Sequence, residues 1–118
     1  MVTNKKRISF DFDNTLDLDW VQINLFAPLS HIYEILIITS RSSEKENKSV
    51  WELAEVLGVP KENIFFTNHQ PKAEWVDKLE CVMHFDDDFI EVTTINESCN
   101  CKALLVNYLM NSYEKSNF

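Results

Sequence analysis

Short apolar clusters recur along the chain at 8–12 (ISFDF), 35–39 (ILIIT), 64–67 (IFFT), 81–85 (CVMHF) and 103–106 (ALLV). All are rich in branched or aromatic residues, as strands buried on both faces tend to be. Between them the period lengthens. Over 44–57, Val50, Leu53, Ala54 and Leu57 fall at i, i+3, i+4, i+7 and predict a helix. Ser43 with Glu46 reads as its capping box, Gly58 as a left-handed C-cap and Pro60 as the stop. A second helix is predicted from Pro71, burying Trp75, Val76 and Leu79. Segment 18–32 repeats Val21, Leu25, Leu29 and Ile32 at helical spacing, with Pro28 kinking or splitting it. The stretch DFIEVTTINES reads as a short helix, and the mostly polar 107–118 as a terminal helix or a frayed end. Strands alternating with helices predict a parallel sheet in an α/β sandwich, whose ligands bind beyond the carboxyl ends of the strands.

A chain of 118 residues, 45% hydrophobic and 25% charged, is expected to be one globular domain over 1–118, with a genuine core. The net charge of −8 opposes non-specific binding to nucleic acid or anionic membranes, and Lys5, Lys6 and Arg7 read as a solvated flank. No apolar run is long enough for a membrane helix and no signal peptide is legible. Cysteines 81, 99 and 101 are odd in number and unevenly spaced, which reads as reduced thiols in a cytoplasmic setting rather than a zinc site. One count changes the picture more. Gly58 is the single glycine, so neither a Walker loop nor a dinucleotide fingerprint is present. Any phosphate must be handled by side chains and a metal.

The strand ends supply such side chains: Asp11 and Asp13, then Thr39, then Lys72 after TNHQP, then Asp86, Asp87 and Asp88. If 8–12 is a strand, its period of two puts Asp11 and Asp13 on one face, with Phe10 and Phe12 on the other. Parallel carboxylates need a cation or a proton between them. Mg²⁺ takes a few carboxylates together with phosphate and water, while a lysine and a threonine suit phosphoryl oxygens.

In this order FDFDNTL, ILIITSR, Lys72 and VMHFDDD resemble the four motifs of the haloacid dehalogenase superfamily of phosphotransferases, over about residues 7–106. The first, second and fourth are specific; the third, a lone lysine, is weak. The resemblance implies a Rossmann-like three-layer sandwich with a parallel sheet of about five strands in order 3-2-1-4-5. It also implies Mg²⁺-dependent hydrolysis of phosphomonoesters through an aspartyl-phosphate. Asp11 would be the nucleophile and Asp13 the general acid and base. Thr39 would hold the phosphoryl group and Lys72 balance its charge. Mg²⁺ would be held by Asp11, the backbone carbonyl of Asp13 and Asp87, with Asp86 in support and Asp88 as a helix N-cap. Asn14, Ser40, Arg41 and Trp20 would face the substrate. Asn14 stands where the family often has glycine, and Asn also enters left-handed conformations. Asp17, Asp19 and Trp20 would flank the entrance, with Trp20 either stacking on a base or joining the core.

The short spans from Asp13 to Thr39 and from Thr39 to Lys72 leave no room for a cap domain. An open site favours a substrate that covers it, such as a nucleotide or a nucleic-acid terminal phosphate. A receiver domain carries its phosphorylated Asp after the third strand, and a Toprim nuclease its D-x-D late; both lose on order. Two alternatives stay open: the same fold kept as a binding or regulatory module, and a phosphatase of small metabolites.

Overall fold

In the computed structural model, which describes residues 5–109, the five apolar clusters become five parallel strands. These are β1 (Arg7–Phe10), β2 (Glu34–Thr39), β3 (Ile64–Phe66), β4 (Cys81–Asp86) and β5 (Lys102–Leu105). They form one sheet in the order β3-β2-β1-β4-β5, the order expected for this Rossmann-like α/β fold. Strand alternation divides the core in two. Ile8, Phe10, Ile35, Ile37 and Phe85 belong to one buried cluster, and Leu36, Ile38, Cys81 and Ala103 to the other. In the first, the rings of Phe10 and Phe85 stack with centroids 4.7 Å apart.

The first cluster is covered by a helical run, α1, built from Asp19–Val21, Gln22–Phe26 and Ala27–Leu29, and by α2 (Lys48–Leu57). The second is covered by α3 (Ala73–Lys78) and α4 (Phe89–Ser98), through Val76, Val92 and Ile95. Pro28 does not split α1. The turn before it widens, with the Ala27 N–H reaching the Gln22 carbonyl, so the missing proline donor is absorbed in a π-type turn. The expected stripe holds at Val21, Leu25 and Leu29 but not at Ile32, which lies beyond the helix and is 62% exposed.

Two helix starts differ from the sequence reading. α2 begins at Lys48 with Asn47 before it, and the Ser43 amide and hydroxyl bond to Asn68 Oδ1 instead of closing a capping box. Glu46 accepts from the Lys48 amide. The C-terminal end is as expected: Gly58 has φ 80°, and Val59 N–H bonds to the Ala54 carbonyl at 2.9 Å. α3 begins at Ala73 with Lys72, not Pro71, at its threshold; Val76 is fully buried and Trp75 and Leu79 are partly so. Residues 106–109 are helical, and the rest of the expected terminal segment lies outside the described residues. Cys81, Cys99 and Cys101 are free thiols. Among the described residues no helix is long and apolar enough to cross a membrane.

Candidate active site

β1 ends at Phe10, not at residue 12. Asp11 is extended (φ −65°, ψ 159°), its N–H bonding to the Phe85 carbonyl at 2.8 Å. The chain stays extended at Asp13 (φ −67°, ψ 128°) and turns at a left-handed Asn14 (φ 57°), the conformation that Asn tolerates. Leu16 N–H closes the turn onto the Asp11 carbonyl at 3.1 Å. Asp11 and Asp13 thus lie beyond the strand rather than on it, but the expected sidedness holds: both line one cavity, while Phe10 and Phe12 belong to the first core cluster. The ladder ends at Asp11, ahead of the left-handed Asn14, and each acid finds its own cation.

Asp11 is buried, with Oδ1 accepting from Lys72 Nζ at 2.8 Å and Oδ2 from the Thr15 hydroxyl at 3.4 Å. The same ammonium donates to Asp86 Oδ2 at 2.6 Å. Asp86 Oδ2 also meets His84 Nε2 at 2.8 Å, and its Oδ1 accepts from the Asp88 amide at 3.0 Å. His84 is fully buried, and its Nδ1 lies 2.7 Å from the Ser9 hydroxyl, its neighbour in register on β1. Burial pushes the His84 pKa down. A neutral ring then donates from Nε2 to Asp86 and accepts from Ser9 at Nδ1, a tautomer that satisfies both contacts.

Burial and the nearby Asp86 charge push Asp11 up to about 8, against the pull of Lys72. Burial would also raise Asp86, but the His84 hydrogen bond and the Lys72 ammonium outweigh it and hold it below the usual carboxylate range. Burial alone would lower Lys72; the two carboxylates outweigh it and raise it. Asp87 is raised, chiefly by burial, and shares a side-chain hydrogen bond with Asp11. Both groups are thus biased toward the protonated form, one of the two ways such carboxylates coexist. Asp11, Asp86 and Asp87 each bring one carboxylate oxygen within 4.8 Å of the others. This hard-oxygen set fits a divalent cation of the Mg²⁺ type, whose binding would favour the ionised carboxylates.

Asp13 lies apart from this cluster. Arg41 grips it with Nε on Oδ2 at 2.9 Å and Nη2 on Oδ1 at 2.7 Å, and the guanidinium also lies 5.0 Å from the Phe12 ring centroid. A cavity of about 710 Å³ opens over the strand ends. Asp11, Asp13, Asn14, Ser40, Lys72, Asp86 and Asp87 all line it. Three expected residues do not. Thr39 is fully buried as the last residue of β2, its Oγ1 accepting from the Arg41 amide at 3.3 Å. Arg41 is occupied with Asp13 and with the Ser49 hydroxyl at 3.2 Å. Trp20 packs against the first core cluster, and Asp17 and Asp19 are also absent from the cavity wall. Asp88 caps α4 as expected, accepting from the Ile90 amide at 2.9 Å.

The sequence reading overlooked Ser9, His84 and Glu91, which accepts from the Lys72 amide at 3.2 Å. Ser9 and His84 had a signal: each is a polar residue inside an otherwise apolar strand. Glu91 had none, since an acid in the first turn of a helix is ordinary. His69 and Gln70 in the cavity wall were also missed. Asn68 and His69 have φ of 55° and 67°, pinned by the His69 amide on the Ser40 carbonyl at 2.8 Å. No family model matches this chain, and no curated protein matches it.

Proposed function

We propose that the protein is a small, capless phosphatase of the haloacid dehalogenase type, hydrolysing phosphomonoesters through an aspartyl-phosphate. One observation carries this reading: Lys72 bridges Asp11 and Asp86 from the ends of adjacent strands, 2.8 and 2.6 Å away, at the floor of an open cavity. A lysine so placed holds the Asp11 carboxylate and offers positive charge to the phosphoryl oxygens. A divalent cation held by Asp11, Asp87 and Asp86 would supply further charge for the phosphate. Asp87 suits ligation better than Asp86, whose oxygens already accept three donors.

An Asp11 oxygen attacks phosphorus, the bond from phosphorus to the ester oxygen breaks, and Asp13 gives that oxygen its proton. Water then attacks the phosphorus of the aspartyl-phosphate, releasing phosphate and returning its proton to Asp13. Arg41 must release an Asp13 oxygen for either proton transfer, and the freed guanidinium then stands beside Ser40 to meet the phosphoryl group. The substrates that best cover an open site are nucleotides or nucleic-acid terminal phosphates. One observation favours a second reading, a binding or regulatory module without turnover: both Asp13 oxygens are engaged by Arg41.

The test is hydrolysis of an aryl phosphate with Mg²⁺, with chelator, and by Asp11→Asn. Cation-dependent turnover that Asp11→Asn abolishes is the expected result, because covalent catalysis contributes many orders of magnitude. Activity of Asp11→Asn within a few-fold of wild type would remove Asp11 as nucleophile. No turnover by the wild type on any phosphomonoester would favour the module.

A further inference from the structure

The cavity wall carries an apolar pair that the chemistry above leaves unused. Phe89 and Ile90 line the same cavity as Asp11 and Lys72, yet are 67% and 73% exposed. They follow Asp88 directly, and its side chain accepts from the Ile90 and Glu91 amides at 2.9 and 3.3 Å, fixing where α4 starts. Glu91 is tied to the Lys72 amide, so the first turn of the helix is anchored to the site. The core-facing stripe of α4 begins only at Val92 and continues at Ile95. Phe89 and Ile90 are therefore held out of the core at the mouth of a charged cavity. An adjacent aromatic and branched pair on such a rim has a binding role more readily than a packing one.

The charge around them narrows the occupant. Six carboxylates and one lysine line the cavity, so even with a divalent cation the wall stays negative. A second phosphate on the substrate would be repelled there, whereas a neutral leaving group would not. The volume of about 710 Å³ is that of a pocket for a drug-sized molecule, well beyond a bare phosphate. We infer that Phe89 and Ile90 form a shelf for the flat apolar face of the leaving group. The substrate class is then a monophosphate whose leaving group is neutral and aromatic, of the nucleoside monophosphate kind. This rests on the proposed phosphomonoesterase and narrows it, setting nucleoside monophosphates above di- and triphosphates and above nucleic-acid ends.

The test compares wild type with Phe89→Ser, Ile90→Ser and the double variant on a nucleoside monophosphate, the matching diphosphate and glycerol phosphate. Both positions are exposed, so the variants are expected to fold, as melting curves will show. The expected result is a fall of about tenfold in the ratio of kcat/KM for the nucleoside monophosphate to that for glycerol phosphate, expressed mainly in KM. An unchanged ratio, or a wild type preferring the diphosphate, would overturn the shelf. Calorimetric titration of the nucleoside monophosphate separates this from failure of the hydrolase reading. If the wild type binds it without turnover and the double variant binds it about tenfold more weakly, the shelf stands and the hydrolase fails. If the wild type does not bind it at all, the shelf fails.

Discussion

The two faces of the sheet are built from the same strands and differ in kind. On the face under α1 and α2, β1 and β2 present Ile8, Phe10, Ile35 and Ile37, and β4 adds Phe85. On the other face β2 still presents Leu36 and Ile38, but β1 presents Ser9 and β4 presents His84 and Asp86, all fully buried. Burying a polar group without a partner costs free energy, so these three persist only as members of a connected chain. That chain runs from Ser9 through His84 and Asp86 to Lys72 and Asp11. One face packs. The other packs and also carries a hydrogen-bonded line from the interior to the site, so defects in the two should read out differently.

The largest effect is expected from Lys72→Met, which leaves Asp11 and Asp86 buried against each other without their shared cation. Removing one partner of a buried ionic group costs about 3–5 kcal/mol, and here it should abolish phosphate chemistry as well. Denaturant melts with and without Mg²⁺ measure the first, and a wild-type midpoint would contradict the description of this network. On the apolar face, Ile37→Ala should cost about 2–5 kcal/mol through its cavity while turnover per folded molecule stays near wild type. An equal loss of specific activity from both variants would erase the contrast between the faces. His84→Leu is expected to be milder in stability, about 1–3 kcal/mol, because Asp86 keeps Lys72 and the Asp88 amide. It should nevertheless weaken Mg²⁺ binding, measured by titration, where Ile37→Ala should not.

The smallest effect is a pH slope. Asp11 rises from 3.8 to about 8 on folding, so its protonated form is favoured in the folded state. That stabilisation is complete below 3.8 and is lost as pH rises through about 8. His84 acts oppositely, since its lowered pKa removes stability as pH falls below 6.5, and above that value it is neutral in both states. In chelator, stability between pH 6.5 and about 8 should therefore fall with rising pH, by at most about 1.4 kcal/mol per unit. Asp11→Asn should flatten this slope, and so should Mg²⁺, whose binding would favour the ionised form of Asp11. A slope of opposite sign would contradict the assigned direction for Asp11.

The contrast between the faces also shows what the sequence could carry. Strand existence was legible because β-branched clusters at regular intervals have few alternatives to a parallel sheet, whereas the order 3-2-1-4-5 was legible only through the motif resemblance. Lys72 was legible only by its place after the third cluster, since nothing local distinguishes a lysine 3% exposed from a surface one. The start of α2 was misread because the Ser43 amide and hydroxyl bond Asn68, distant in sequence, and no local capping rule anticipates that partner. The sidedness of Asp11 and Asp13 was legible from alternation, but the end of β1 was not. The strand was extended two residues too far, to residue 12, although the left-handed turn comes only at Asn14. Phe89 was invisible as a rim residue because a hydrophobic residue at a helix start is usually core. Its exposure depends on where Asp88 sets the helix origin.

The central claim is that Asp11 becomes phosphorylated during turnover. Acid quenching of the Mg²⁺-loaded protein with a phosphomonoester, followed by peptide mass mapping, tests it most directly. The expected result is a phosphoryl group on the peptide containing Asp11, formed in the wild type and lost in Asp11→Asn. Continuing hydrolysis with no phosphoryl adduct at Asp11, or with the adduct on another residue, would contradict it.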